Sequence, residues 1–189
     1  MKITLRLAVV GLAAGLLTLS AGIANAAPAA APSEAQWLSD VTAVTNQASP
    51  YLQQRLSSPG KLAIVLDIDN TSLETHYHPI TMPAIPPVLA MIQQAKAKGA
   101  SIFFITDRPE LFRSVTQSSL TAVGYPVDGL SLRPNFNTDP VQVNKTNARA
   151  AIEAQGFTIV ANIGNNTTDL EGGHAERTFK LPDYDGALR

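Results

Sequence analysis

Short apolar runs that end abruptly in polar residues set the terms for this chain. Leu62–Leu66 is unbroken by any polar side chain, Ile102–Ile105 and Phe157–Ile163 resemble it, and Leu130–Leu132 is a shorter candidate. Runs this short and rich in branched side chains read as strands buried on both faces. Between them lie segments of helical periodicity, Val88–Lys98, Leu111–Val123 and Lys145–Gln155, which stop at Gly99, Gly124 and Gly156. Strands alternating with helices predict βαβ units, an α/β class and a parallel sheet. One more helix precedes the first strand. Ser33 with Gln36 offers a capping box, and Trp37, Leu38, Val41, Val44 and Ala48 recur at helical spacing, with Pro50 expected to break the pattern. Trp37 is expected in the core. Four prolines, at 79, 83, 86 and 87, predict an irregular stretch over 78–87.

The first residues describe an address. Lys2 and Arg6 precede an apolar stretch from Leu7 to Ile23, followed by Ala24-Asn25-Ala26. This is the layout of a secretory signal peptide with an A-x-A cleavage site. The expected organisation is therefore a signal peptide at 1–26, a flexible Ala/Pro linker at 27–32 and a single domain at 33–189. Release from the signal leaves no membrane anchor and predicts a secreted protein, in the extracellular or cell-envelope space.

Composition narrows the chemistry. The 189 residues are 45% hydrophobic, enough for one sizeable core, and the formal net charge is −1. That balance gives no reason to expect nucleic-acid binding. Cysteine is absent, which excludes disulfides, a thiolate nucleophile and Cys-ligated zinc. Oligomeric state is not encoded in any visible pattern.

Ligands of open parallel sheets bind beyond the carboxyl ends of the strands, so the residues after each run are where chemistry is sought. The first run ends in Asp67-Ile68-Asp69-Asn70-Thr71. Alternation along an extended backbone turns Asp67 and Asp69 to one side. Two carboxylates held close need a cation or a shared proton, and an oxygen-seeking ion such as Mg²⁺ suits them. The second run is followed by Thr106, Asp107 and Arg108. Lys145 opens the next helix and can reach a phosphoryl oxygen. The last run ends in Gly164-Asn165-Asn166-Thr167-Thr168-Asp169, a tight turn with amides and a further carboxylate.

Asp67-x-Asp69-x-Thr71, Thr106, Lys145 and the Gly164–Asp169 loop, in that order, resemble the four motifs of the haloacid dehalogenase (HAD) superfamily. The Asp-Ile-Asp-Asn-Thr-Ser-Leu string, the N-terminal helix and the lack of a large insertion resemble its subfamily IIIB secreted acid phosphatases. The resemblance spans roughly residues 33–185. It implies a three-layer, Rossmann-like parallel sheet with a minimal cap, and a Mg²⁺-dependent hydrolase of small phosphomonoesters working through an aspartyl-phosphate. By the same resemblance Asp67 is the nucleophile and Asp69 the general acid and base. Thr106 and Lys145 bind the phosphoryl oxygens, and Asp67, the Asp69 carbonyl and the last loop hold Mg²⁺.

One position departs from the family. The last loop usually begins Gly-Asp, and here the second residue is Asn165, so Asn165 and Asp169 both stand as candidate metal ligands. This departure also motivates an alternative, a non-catalytic storage or binding protein on the same scaffold. A phosphorylated receiver domain fits poorly, because no acid follows a strand between Asp69 and Asp107. His76 and His78 are expected on a loop near the site. His174 has no evident partner, and Arg108 is expected to pair with Asp107 or a helix end.

Overall fold

The computed structural model describes residues 30–188. The expected signal peptide and the first residues of the linker lie outside these described residues. The linker's last residues are tied down: Ala31 packs against the core, and Tyr77 Oη donates to the Pro32 carbonyl at 2.9 Å.

Five parallel strands form one sheet in the order β3-β2-β1-β4-β5. They are β1 (Leu62–Leu66), β2 (Ser101–Pro109), β3 (Gly129–Arg133), β4 (Thr158–Gly164) and β5 (Thr178–Lys180). The helices are α1 (Glu34–Arg55), α2 (Pro86–Ala97), α3 (Arg113–Ala122), α4 (Val141–Glu153) and a single turn, α5 (Thr167–Leu170), with a 3₁₀ turn at Glu110–Phe112 before α3. The central strand is buried throughout, because it is paired on both edges and covered on both faces. Leu62, Ile64 and Leu66 join Trp37, Val41, Val88, Ile92 and Leu120, the side of α1, α2 and α3. Ala63 and Val65 point the other way, to Phe103, Ile105, Ile159 and Ile152 of α4. The three-layer α/β architecture follows from this alternation.

Two expectations at the helices are corrected. Pro50 does not end α1, which continues to Arg55. An internal proline costs on the order of 3 kcal/mol, and tertiary anchors offset it. Leu52 is buried, Tyr51 Oη donates to the Val160 carbonyl at 2.9 Å, and Arg55 grips both Glu176 oxygens at 2.7 Å. The irregular stretch is shorter than 78–87, since α2 begins at Pro86 with prolines in its first turn, where their missing N–H groups cost nothing. β5 and α5 carry no run long enough to announce themselves.

Chain order sends β2 and β3 to one side of β1 and β4 and β5 to the other. The crevice between the carboxyl ends of β1 and its neighbours is thus the topological switch point, where open α/β sheets bind ligands.

Candidate active site

Asp67 directly follows β1 and is still held in the sheet, its N–H donating to the Ile163 carbonyl at 3.0 Å. Ile68 is buried, and Asn70 then adopts φ 53°, a left-handed conformation that asparagine tolerates better than most residues. The Asn70 side chain secures this turn, accepting from His76 N–H at 2.7 Å and donating to the Leu188 carbonyl at 2.5 Å. Thr71 stitches this loop to the one after β4. Its hydroxyl donates to Asn165 Oδ1 and accepts from Asn165 N–H, each at 3.0 Å.

Lys145 does not open its helix; α4 starts at Val141, which places Lys145 in the second turn and buries it. Its Nζ stands 2.6 Å from Asp67 Oδ1 and 2.5 Å from Asp169 Oδ1. The other Asp169 oxygen accepts from Asn166 N–H at 2.8 Å, completing the capping box of α5. Gly164 permits this return: a Cβ there would run into the Asp169 side chain. Burial pushes the Asp67 carboxyl up to about 6, with Asp169 and Asp69 adding to the rise and Lys145 opposing it. For Lys145, burial disfavours the charge, but Asp67 and Asp169 outweigh it and hold the ammonium above the ordinary lysine range.

Thr106 is buried in β2, where pairing with β3 shifts register between Ile105 and Pro109. Such an irregularity re-aims side chains at a strand end. Thr106 Oγ1 accepts from Arg108 N–H at 3.2 Å. Asp69 is more exposed than Asp67, and Arg108 binds both its oxygens, Nη2 to Oδ1 at 2.6 Å and Nε to Oδ2 at 2.9 Å. Arg108 therefore pairs across the loops with Asp69, not with Asp107 or a helix end. Asp67, Asp69, Thr106, Lys145, Asn165 and Asp169 all line one open cavity of about 630 Å³.

Two basic residues missed in the sequence support this cavity. Arg149, one turn beyond Lys145 and fully buried, donates to the carbonyls of Asp169 (2.7 Å), Gly173 (2.9 Å) and Glu171. Lys180 Nζ donates to the Asn165 carbonyl at 2.5 Å. The helical spacing from Lys145 to Arg149 is the only sequence trace of the first. The three histidines separate. His76 lines the cavity, His78 faces Glu34 and Glu74, and His174 Nδ1 lies 2.6 Å from Glu153.

A family model described as HAD superfamily, subfamily IIIB (acid phosphatase) matches residues 78–187, more than half of the chain. The chain belongs to this family. Within the subfamily IIIB match lie Thr106, Lys145, Asn165 and Asp169, while Asp67 and Asp69 precede it. The chain is 37% identical over 106 residues to a stem 28 kDa glycoprotein of Glycine max, covering 53% of this chain and 42% of that one. It is 34% identical over 106 residues to acid phosphatase 1 of Solanum lycopersicum, covering 54% and 42%. To vegetative storage protein 2 of Arabidopsis thaliana it is 32% identical over 102 residues, covering 53% and 38%. The matched segment spans less than half the length of each of these relatives. In fold the chain is similar to the class C acid phosphatase from Bacillus anthracis, with a TM-score of 0.58 at 20% identity over 78% of this chain and 81% of that one.

Proposed function

We propose that this HAD subfamily IIIB member is a secreted, Mg²⁺-dependent phosphatase of small phosphomonoesters, with Asp67 as its nucleophile. The observation that carries the reading is the buried Asp67–Lys145–Asp169 chain opening onto a cavity that also holds Asp69 and Thr106. Phosphoryl transfer asks a protein for an in-line nucleophile and fixed positive charge near the equatorial oxygens. Asp67 supplies the first. Lys145 supplies the charge and orients Asp67, and Asp169 in turn positions Lys145. Thr106 offers a hydroxyl to the same oxygens.

The donor set suits a hard divalent ion. Two buried carboxylates share one ammonium, leaving a net negative charge, and every candidate ligand is an oxygen. Among the described residues no hydrogen bond reaches Asp67 Oδ2 or the Asp69 carbonyl. Asp67, the Asp69 carbonyl and Asn165 would hold Mg²⁺. Asp169, with both oxygens already engaged, fits a role through Lys145 or a bridging water. Bound Mg²⁺ would neutralise charge on the phosphoryl group. Asp67 then attacks phosphorus and becomes the aspartyl-phosphate, while Asp69 gives a proton to the leaving alcohol and later takes one from the attacking water. Arg108 binds both Asp69 oxygens, so one must be released for that transfer.

A storage or binding role is the second reading, favoured by the uncharged Asn165 in the metal loop and by the similarity to a vegetative storage protein. Secretion rests on the sequence of the first 26 residues; among the described residues no helix is long and apolar enough to cross a membrane. Hydrolysis of p-nitrophenyl phosphate, with Mg²⁺ and then with EDTA, separates the readings. The phosphatase turns over with Mg²⁺ and stops with EDTA, whereas a folded chain with no Mg²⁺-dependent turnover is the storage protein.

A further inference from the structure

Outside the cavity, Glu34, Glu74 and His78 converge where the first turn of α1 meets the loop after β1. One potential ligand atom from each lies within 4.8 Å of the others. His78 Nε2 is 3.1 Å from Glu34 Oε1 and 3.5 Å from Glu74 Oε2. Ligand bonds of about 2.0–2.1 Å in a tetrahedron put neighbouring donor atoms about 3.3 Å apart. The two separations from the imidazole match that edge.

Close carboxylates call for a cation or a shared proton. Two carboxylates face one imidazole, so with both ionised one negative charge stays unmatched even if His78 is protonated. Among the described residues no lysine or arginine forms an ion pair with Glu34 or Glu74. Glu74 makes the imbalance costly. Its side chain is only 5% exposed, and its described partners are His78 at 3.5 Å and the Glu34 carboxylate, which it can meet only by sharing a proton. A buried carboxylate is normally paired or coordinates a metal.

The backbone under these side chains is fixed. His78 N–H donates to the Glu74 carbonyl at 3.1 Å, which sets the two side chains one turn apart on the same side. Glu74 N–H donates to the Pro83 carbonyl at 2.9 Å, closing the loop behind them. Ser33 caps the turn that carries Glu34, and the Trp37 and Tyr77 rings pack 5.1 Å apart beside it.

We propose that Glu34, Glu74 and His78 form a second divalent-cation site that takes Zn²⁺, or an ion of its class, and clamps α1 to the loop after β1. One imidazole and two carboxylates suit borderline ions, and an exposed rim leaves the fourth position to water. An all-oxygen site such as that of Asp67 prefers Mg²⁺, so the two sites sort two metals. The clamped loop also carries Thr75 and His76 to the cavity wall, giving the ion a structural route to the active site.

The test is competition with a chromophoric chelator for Zn²⁺ in excess Mg²⁺, on the purified chain carrying Asp67→Asn so that the active site does not compete. One equivalent of Zn²⁺ binds, and it is lost in Glu34→Gln and His78→Gln. At about 100 times its dissociation constant Zn²⁺ raises the melting temperature by about 5–10 °C, and both variants lose this rise. Glu34 lies on the half-exposed rim, so Glu34→Gln folds even where a change at Glu74 disrupts packing. Failure of the Asp67→Asn chain to bind Zn²⁺ overturns the proposal. So does one equivalent that survives both substitutions. Neither result bears on phosphatase activity.

Discussion

Arg108 holds both carboxylate oxygens of Asp69, at 2.6 and 2.9 Å, across the mouth of the cavity. A bidentate guanidinium fixes the plane of a carboxylate as well as its position. One Asp69 oxygen must be released to carry the proton, and the contact that Arg108 keeps with the other oxygen holds the acid in line. Arg108→Ala is expected to lower kcat on alkyl phosphates by about 10- to 100-fold, by misaligning the acid. The loss on p-nitrophenyl phosphate is small, because that leaving group needs little protonation. Asp69→Asn follows the same order with a larger loss, about 10²–10⁴-fold on alkyl substrates. Equal losses on both substrate types would remove Asp69 as the proton donor.

Lys145 is buried between two carboxylates, and its removal leaves both without their cation. Breaking a buried pair in this way costs about 3–5 kcal/mol. Lys145→Met therefore lowers the urea midpoint and abolishes turnover. Adding Asp169→Asn to it restores part of the stability and none of the activity. A Lys145→Met chain as stable as the parent would contradict the arrangement around Asp67.

The metal loop separates charge from position. Asn165→Asp adds an anionic oxygen near a divalent ion, an attraction worth more than about 2 kcal/mol at an effective dielectric near 20 before desolvation is subtracted. The Mg²⁺ concentration for half-maximal rate should fall. Asp169→Ala should act mainly on kcat, since both its oxygens are engaged by Lys145 and Asn166. Mg²⁺ titrations at fixed pH read both effects. A large rise in the Mg²⁺ requirement with unchanged kcat in Asp169→Ala would make Asp169 the direct ligand.

In the metal-free chain, burial raises Asp67 to about 6 from an ordinary 3.8. A folded-state value above the unfolded one means that the folded chain holds the proton more tightly. The associated stability is complete below the unfolded value and is lost as pH rises through the folded one. Urea unfolding in EDTA should show the parent losing stability between about pH 4 and 6 relative to Asp67→Asn, which has no such proton. Saturating Mg²⁺ favours the ionised carboxylate and should flatten this difference. A flat difference in EDTA would mean that Asp67 is not raised.

Much of this was legible in the sequence, for reasons that differ by residue. Leu62–Leu66 is readable because a strand buried on both faces allows no polar interruption. The residues after such runs inherit a position toward the sheet's end from topology, which is why Asp67 and Asp69 after the first run and Thr106 after the second could be named from the sequence. Lys145 could be named, but its burial could not. The helix starts four residues earlier than its apolar pattern suggests, at Val141 directly after Pro140, with no capping side chain to mark it. Arg108 and Asp69 are 39 residues apart, and nothing local to either encodes their pairing. The continuation of α1 past Pro50 depends on Glu176 and Val160, which are equally remote in sequence. The short β5 contributes one buried side chain, Phe179, too little to give a periodic signal.

The central claim is that Asp67 is the nucleophile of a Mg²⁺-dependent phosphatase. The direct measurement is p-nitrophenyl phosphate hydrolysis by the parent and Asp67→Asn chains side by side in saturating Mg²⁺, with folding of each confirmed by circular dichroism. An amide cannot form the aspartyl-phosphate, so the parent turns over and the folded Asp67→Asn chain does not. Turnover by Asp67→Asn within about tenfold of the parent, a barrier difference of no more than about 1.4 kcal/mol, would contradict the account.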